Sequence, residues 1–167
     1  MRRNDPEDPA EAERVLRIWA EFAPKYDRQI AFFERFLFDG MREWACSRAS
    51  GDVLEVGVGT GRNLKHYSPD VRLTGVDLSP VTLDIGRRRA AALGREVDLR
   101  VMNAEGLDLP DESFDTVVST LTMCSIPSYR RALAEAYRVL RPGGRLVMVE
   151  HVRSPSVAVR TGQRLLN

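Results

Sequence analysis

The stretch Val53-Leu54-Glu55-Val56-Gly57-Val58-Gly59-Thr60-Gly61-Arg62-Asn63 decides the fold of this chain. Apolar residues around one carboxylate, Glu55, rise as a strand, and three glycines at alternate positions then turn the chain toward a helix. A turn without side chains lets the backbone approach a ligand closely, and the helix that follows presents unpaired N–H groups. Such a turn builds a nucleotide-type pocket. A dinucleotide fingerprint would place its third glycine at position 62, where this chain has Arg62, so the nicotinamide reading is removed. Glu55 sits two residues ahead of the first glycine and suits a ligand with a positive amino or sulfonium group near the turn. A fixed carboxylate there stabilises a cation directly or through water.

Outward from this turn the rhythm is strand and helix in alternation. Apolar strand runs fall at Val53–Val56, Val71–Val76, Val97–Met102, Thr116–Ser119 and Arg145–Val149. Ser79-Pro80 reads as an N-cap followed by proline at the first helical position, and Gly94 supplies the stop. Another helix, from about Tyr129 to Leu140, buries Leu133, Ala136, Tyr137 and Leu140, and Arg141-Pro142-Gly143-Gly144 turns from it into the last strand. Strands separated by helices imply parallel pairing with right-handed crossovers. The fold class is α/β, with an open, Rossmann-like, doubly wound, mostly parallel sheet.

Before the sheet, Val15, Ile18, Trp19 and Phe22 recur at helical spacing and Pro24 stops that helix. A second helix is expected from about Arg28 to Ala49, with Ile30, Phe33, Leu37, Met41 and Trp44 on one face. Phe32 and Phe38 on its other face are explained either by packing, the simpler reading, or as the lining of an apolar substrate pocket; Phe36 joins the same apolar wall. The organisation is therefore an N-terminal helical cap over 1–50, a cofactor-binding α/β core over 51–152 and a helix fragment over 153–167, one domain overall. No sixth strand follows the fifth. Either a partner chain covers the open edge, giving a homodimer, or the sequence lacks a C-terminal portion, which is the preferred expectation.

Composition narrows the partners. With 167 residues the chain can bury a sizeable core, and a formal net charge of +1 favours neither nucleic acid nor an anionic membrane. The two cysteines, Cys46 and Cys124, lie far apart and do not form a disulfide framework. A reduced, cytoplasmic setting is therefore expected, with no apolar signal core and no run of membrane-spanning length, and the Phe32, Phe33, Phe36 and Phe38 wall suggests a hydrophobic small-molecule substrate. No metal-ligating spacing is present.

Two further elements support the pocket. Leu73-Thr74-Gly75-Val76-Asp77 ends a strand with a carboxylate 20 positions after Gly57, the spacing at which an acidic side chain accepts bonds from both ribose hydroxyls. In Val101-Met102-Asn103-Ala104-Glu105-Gly106, Asn103 offers an acceptor to an exocyclic amine and the Ala104 N–H reaches a ring nitrogen, as the edge of an adenine requires.

The ordered set LEVGVGTGRN, LTGVDLSP, NAEGLDLPDESFDTVVS and LRPGGRLVMVEHV resembles the class I S-adenosylmethionine-dependent methyltransferases, and within them the ubiquinone/menaquinone-biosynthesis group. The TLTMCS segment with EHV, and TGRNLKHY, also resemble a branch that includes animal alkyl-thiol methyltransferases. The resemblance covers roughly Tyr26 to Val152 and implies a seven-stranded sheet, of which the last two strands are missing here. It implies that Gly57, Gly59 and Gly61 make room for the methionine portion of S-adenosylmethionine, with Glu55 near its amino end and Thr60 and Asn63 near its carboxylate. Asp77 would take the ribose, Leu78 the adenine face, and Asn103, Ala104 and Glu105 the adenine edge. Leu121 would lie beneath the sulfonium, and Tyr26 would close over the cofactor.

Methyl transfer from a sulfonium is an in-line displacement, so a general base is optional. The catalytic residue is unassigned. His151, just after the fifth strand, is the best-placed proton acceptor, against the alternative of a histidine satisfying local backbone groups. Cys124 reads as a small buried residue, Glu150 as either a pocket carboxylate or a solvated charge, and His66 as a helix end. Arg87-Arg88-Arg89 spread around a helix as a solvated face. After the fourth strand, Ser119-Thr120-Leu121-Thr122 lacks the aromatic stacking that a flipped base needs. Nucleic-acid or protein methylation and a non-catalytic cofactor-binding domain are the alternatives.

Overall fold

The structure is a computed structural model that describes residues 40–150 and, ahead of them, residues 10, 13, 14, 16–19, 21–23, 25 and 27. Five strands form one sheet: β1 (Asp52–Val56), β2 (Arg72–Asp77), β3 (Asp98–Val101), β4 (Phe114–Thr120) and β5 (Leu140–Val149). Their spatial order is β3-β2-β1-β4-β5 and every pairing is parallel. Among the described residues from 40 onward, three helices accompany them: α1 (Met41–Cys46), α2 (Pro80–Ala92) and α3 (Tyr129–Val139). The strand order reverses between β1 and β4, and ligands of such sheets bind outside the carboxyl ends at that point.

The period-two alternation of β1 separates two cores. Val53 packs with Ala45, Cys46, Leu83 and Val118 on the side of α1 and α2, while Leu54 and Val56 pack with Val117, Ala132, Ala136 and Val139 on the side of α3. Fully burying each such aliphatic side chain contributes about 1.5–3 kcal/mol. Helix α2 begins as its sequence indicates: Ser79 Oγ accepts from the Thr82 amide at 3.3 Å, with proline at the first position.

Several local expectations are corrected. Lys25 and Asp27 are helical, so helical residues are found beyond the stop expected at Pro24. The helix expected over 28–49 is broken, because Gly40 is left-handed (φ 73) and α1 starts only after it. Ala45 and Cys46 face the core, whereas Trp44 is exposed and carries the Arg48 guanidinium over its ring at 4.1 Å. In α3 the buried stripe is Ala132, Ala136 and Val139, and Tyr137 points outward at 81% exposure. The strand β5 begins at Leu140, earlier than expected, with a register shift across residues 141–144. Ile30, Phe32, Phe33, Phe36, Leu37 and Phe38 lie outside the described residues.

Candidate active site

At the carboxyl ends of β1, β2 and β4 lies an open cleft, the place where ligands of such sheets bind. One wall comes from the strand-end turns: Gly57, Gly59 and Thr60 after β1, Asp77 and Leu78 after β2, and Asn103 and Ala104 after β3. Leu121 and Thr122 after β4 form its floor, with Ser125, Ile126 and Pro127 beyond. Leu16 and Trp19 from the N-terminal helical residues complete the opposite side.

Asp77 is fixed by the turns around it. One carboxylate oxygen accepts from the Gly59 amide at 3.0 Å, and the other accepts from the Ser79 amide at 2.9 Å and Thr82 Oγ1 at 3.0 Å. Burial raises its pKa, outweighing these hydrogen bonds. The glycines differ in what they make room for. Gly57 has φ 71, and a Cβ there would stand 2.1 Å from Thr122 Cγ2. At Gly59 (φ 52) a Cβ would meet nothing nearer than 3.8 Å, so its missing side chain is space facing the cleft. Leu121 is also left-handed, with φ 55, a conformation that costs a non-glycine residue about 1–3 kcal/mol.

Other expected site residues stand behind the wall. Glu55 follows Val53 to the α1 side of β1 and is 2% exposed, so its carboxylate is sealed from the cleft. It accepts from Tyr67 Oη at 2.9 Å and from Asn63 Nδ2 at 2.8 Å. Burial pushes its pKa up to about 7, against the Tyr67 bond, the Arg42 charge and the Asn63 bond. Asn63 is likewise fully buried; its amide nitrogen also donates to Thr120 Oγ1 at 2.9 Å, and its oxygen accepts from Arg42 at 2.9 Å. Gly61 packs on Leu64 and Gly86. Glu105 turns to the Ser128 amide at 3.0 Å. Tyr26 and His151 lie outside the described residues.

Sequence reasoning missed a group that ties the N-terminal helical residues to the glycine turn. Asp27 accepts from Thr60 Oγ1 at 2.8 Å, pairs with Arg89 and lies 3.6 Å from Arg62. Burial alone would raise Asp27, but the bonds from Thr60 and Arg89 outweigh it and hold the carboxyl below its ordinary value. Arg89 also donates to the Thr60 carbonyl at 2.7 Å, and Arg87 pairs with Asp84 at 2.7 Å, so the arginine run is not one solvated face. Trp19, Leu16 and Arg42 were missed as cleft residues because they lie far from the strand-end motifs; aromatic spacing marked Trp19 as apolar but not its target. Cys124, expected to be buried, is exposed, whereas burial, then the Glu55 charge, push the Cys46 thiol up to about 12. His66 ends a short 3₁₀ turn. Among the described residues no group of His, Cys, Asp and Glu could hold a metal. Nor, among them, is any helix long and apolar enough to cross a membrane.

A parallel sheet of this order, with a glycine turn after its first strand and a carboxylate at the end of the second, defines a Rossmann-like fold built for an adenosyl cofactor. Over residues 54–148 the chain matches the family described as a methyltransferase domain, and it belongs to that family, of the class I S-adenosylmethionine-dependent type. It is 36% identical to the demethylmenaquinone methyltransferase of Thermus thermophilus over 84% of this chain and 67% of that one. It is 38% identical to the human thiol S-methyltransferase TMT1A over 78% of this chain and 55% of that one. The crystal structure of the YcgJ protein from Bacillus subtilis superposes with a TM-score of 0.66 at 30% identity, covering 76% of this chain and 55% of its own. The chain thus spans about half to two thirds of the length of the curated relatives it matches.

Proposed function

We propose that the protein transfers a methyl group from S-adenosylmethionine to a small, apolar acceptor. The observation that carries this reading is the meeting of two unlike walls in one cleft. A polar wall of backbone edges and one carboxylate faces an apolar one containing Leu16, Trp19, Leu121, Ile126 and Pro127. S-adenosylmethionine, when bound, supplies an electrophilic methyl carbon on a sulfonium. In this reading Gly59 leaves space for the amino-acid end, the Gly57 backbone lines it with Thr122 packed behind, and Thr60 borders it. The remaining lone pairs of Asp77 accept from the ribose hydroxyls, Leu78 packs on the adenine face, and Asn103 and Ala104 read its edge. Leu121 closes the floor beneath the reacting atoms. Glu55 and Asn63 act from behind, by fixing the strand end and Thr120, while Gly61 and Glu105 serve the turns. Tyr26 as a cover completes the proposal; the catalytic residue is unassigned, with His151 the candidate proton acceptor for a reaction that uses one.

Alignment and exclusion of water carry the reaction, and the apolar wall supports both. The quinone- and thiol-directed names of the relatives support an acceptor offering a carbon or sulfur nucleophile, and an oxygen nucleophile fits the same apolar cleft. A net charge of +1 and the pairing of Arg87 and Arg89 with carboxylates support a small molecule over nucleic acid. Calorimetry with S-adenosylmethionine tests the donor, and no binding at millimolar cofactor overturns the reading. A product assay against thiols, phenols, quinols and amines then identifies the acceptor.

The same proposal divides the chain into a cap over 1–50, a cofactor-binding core over 51–152 and a helical tail over 153–167. It places the protein in the cytoplasm, in keeping with two free cysteines. Self-association through β5 is supported by the exposure of Leu146 and of Trp44 beside it; light scattering tests it.

A further inference from the structure

Glu150 follows β5 and has no role in the reading above. Its carboxylate accepts from Ser119 Oγ at 2.7 Å, from the Thr122 amide at 3.2 and 3.0 Å to its two oxygens, and from the Met123 amide at 3.1 Å. The amide between these donors, that of Leu121, donates to the Val149 carbonyl at 2.7 Å. Three successive N–H groups, of Leu121, Thr122 and Met123, are thereby held by the end of one strand. Consecutive amides around a left-handed residue form a concavity that favours an anion, and here the chain supplies its own.

The consequence reaches the glycine turn through Thr122. Its hydroxyl has the Gly57 carbonyl at 3.3 Å and the Thr120 carbonyl at 3.1 Å as acceptors, and its methyl group occupies the space that a Cβ on Gly57 would need. The loop carrying the cleft floor and the turn carrying the opposite wall therefore touch at one residue, and that residue is placed by a carboxylate outside the cleft lining.

The geometry points to Glu150 as a positioning residue of the methyl-transfer site: it holds Leu121 in its left-handed conformation and Thr122 against Gly57, setting the cleft floor relative to the cofactor wall. The inference rests on the proposed methyl-transfer reading. It also answers the question the sequence left open about Glu150, whose oxygens are engaged by the loop and do not serve as a pocket base.

The test compares wild-type protein with Glu150→Ala and Glu150→Gln by amide hydrogen exchange and by calorimetry with S-adenosylhomocysteine. In Glu150→Ala the Thr122 and Met123 amides exchange roughly tenfold to a hundredfold faster while those of β1 and β2 keep their protection, and S-adenosylhomocysteine affinity falls about tenfold. Added acetate, filling the vacated concavity, restores part of both, an outcome that a general loss of stability would not give. Glu150→Gln, which keeps one acceptor oxygen, falls between the two proteins, and it carries the test if the alanine variant does not fold. Unchanged exchange at Thr122 and Met123, or a loosened loop with wild-type affinity, overturns the inference. Absence of binding to the wild-type protein overturns the methyl-transfer reading instead.

Discussion

On the wall formed by Gly57, Gly59, Asp77 and Asn103, every group facing the cleft lies at or just past a strand end and is fixed by neighbours in the same turns. The wall formed by Leu16, Trp19, Leu121 and Ile126 draws instead on segments about a hundred residues apart, meeting only in the folded chain. The first wall is set by backbone geometry and a carboxylate. The second is set by apolar packing and by a loop anchored from behind. Changes on the first wall should therefore act on the donor and on stability together, changes at Leu16 and Trp19 should act on the acceptor, and the loop of Leu121 and Thr122, which touches Gly57, should act on the donor as well.

The sharpest way to break this comparison is at the glycines. Gly57→Ala combines a left-handed alanine, about 1–2 kcal/mol, with a clash against Thr122, about 1–3 kcal/mol, and urea unfolding should show destabilisation of about 2–5 kcal/mol. Gly59→Ala meets open space and should cost only about 1 kcal/mol of stability while still weakening cofactor binding by calorimetry. Equal destabilisation by the two would remove the distinction between contact within the protein and space for a ligand.

Next in size is the buried carboxylate behind the first wall. Glu55 titrates near 7 in the folded protein against 4.5 when exposed, so between those values the folded state binds more protons than the unfolded one. Its contribution to stability is full below about pH 4.5 and is lost as pH rises through 7, on the order of 3 kcal/mol in all. Thermal unfolding between pH 5 and 8 should show this decline in the wild type and a flatter profile in Glu55→Gln.

Asp77→Asn replaces an acceptor with a donor opposite amides that already donate. Affinity for S-adenosylmethionine should fall by about 1.5–3 kcal/mol, read by calorimetry, with little change in acceptor preference. Trp19→Ala is the smallest change and acts on the other wall. The apparent KM for an apolar acceptor should rise by about 1–2 kcal/mol while S-adenosylhomocysteine affinity stays near wild type. A Trp19 variant that lost the cofactor instead would merge the two walls into one functional unit.

The contrast between the walls is also a contrast in legibility. The glycine turn, Asp77 and the Ser79-Pro80 helix start were readable because each is a local device, a residue type demanded by a turn within a few positions. Glu55 was legible as a carboxylate of the turn but not in its direction: the pleat sends it to the α1 side, where Tyr67, Asn63 and Arg42 wait at positions that no spacing rule connects. The Asp27–Thr60–Arg89 tie and the engagement of Glu150 by the Thr122 and Met123 amides escaped for the same reason. Helix faces failed at Trp44 and Tyr137, where an amphipathic residue marks apolar spacing without fixing which side is covered.

The placement of the aromatic residue over the cleft gives the protein an optical handle. The chain has two tryptophans, and Trp19 lines the cleft while Trp44 stands exposed under Arg48 beside β5. Occupancy of the cleft changes the surroundings of one indole and leaves the other as a constant background. Replacing Trp44 with phenylalanine leaves a single indole, which can be excited apart from the four tyrosines, so filling and emptying of the cleft can be followed in real time without labels.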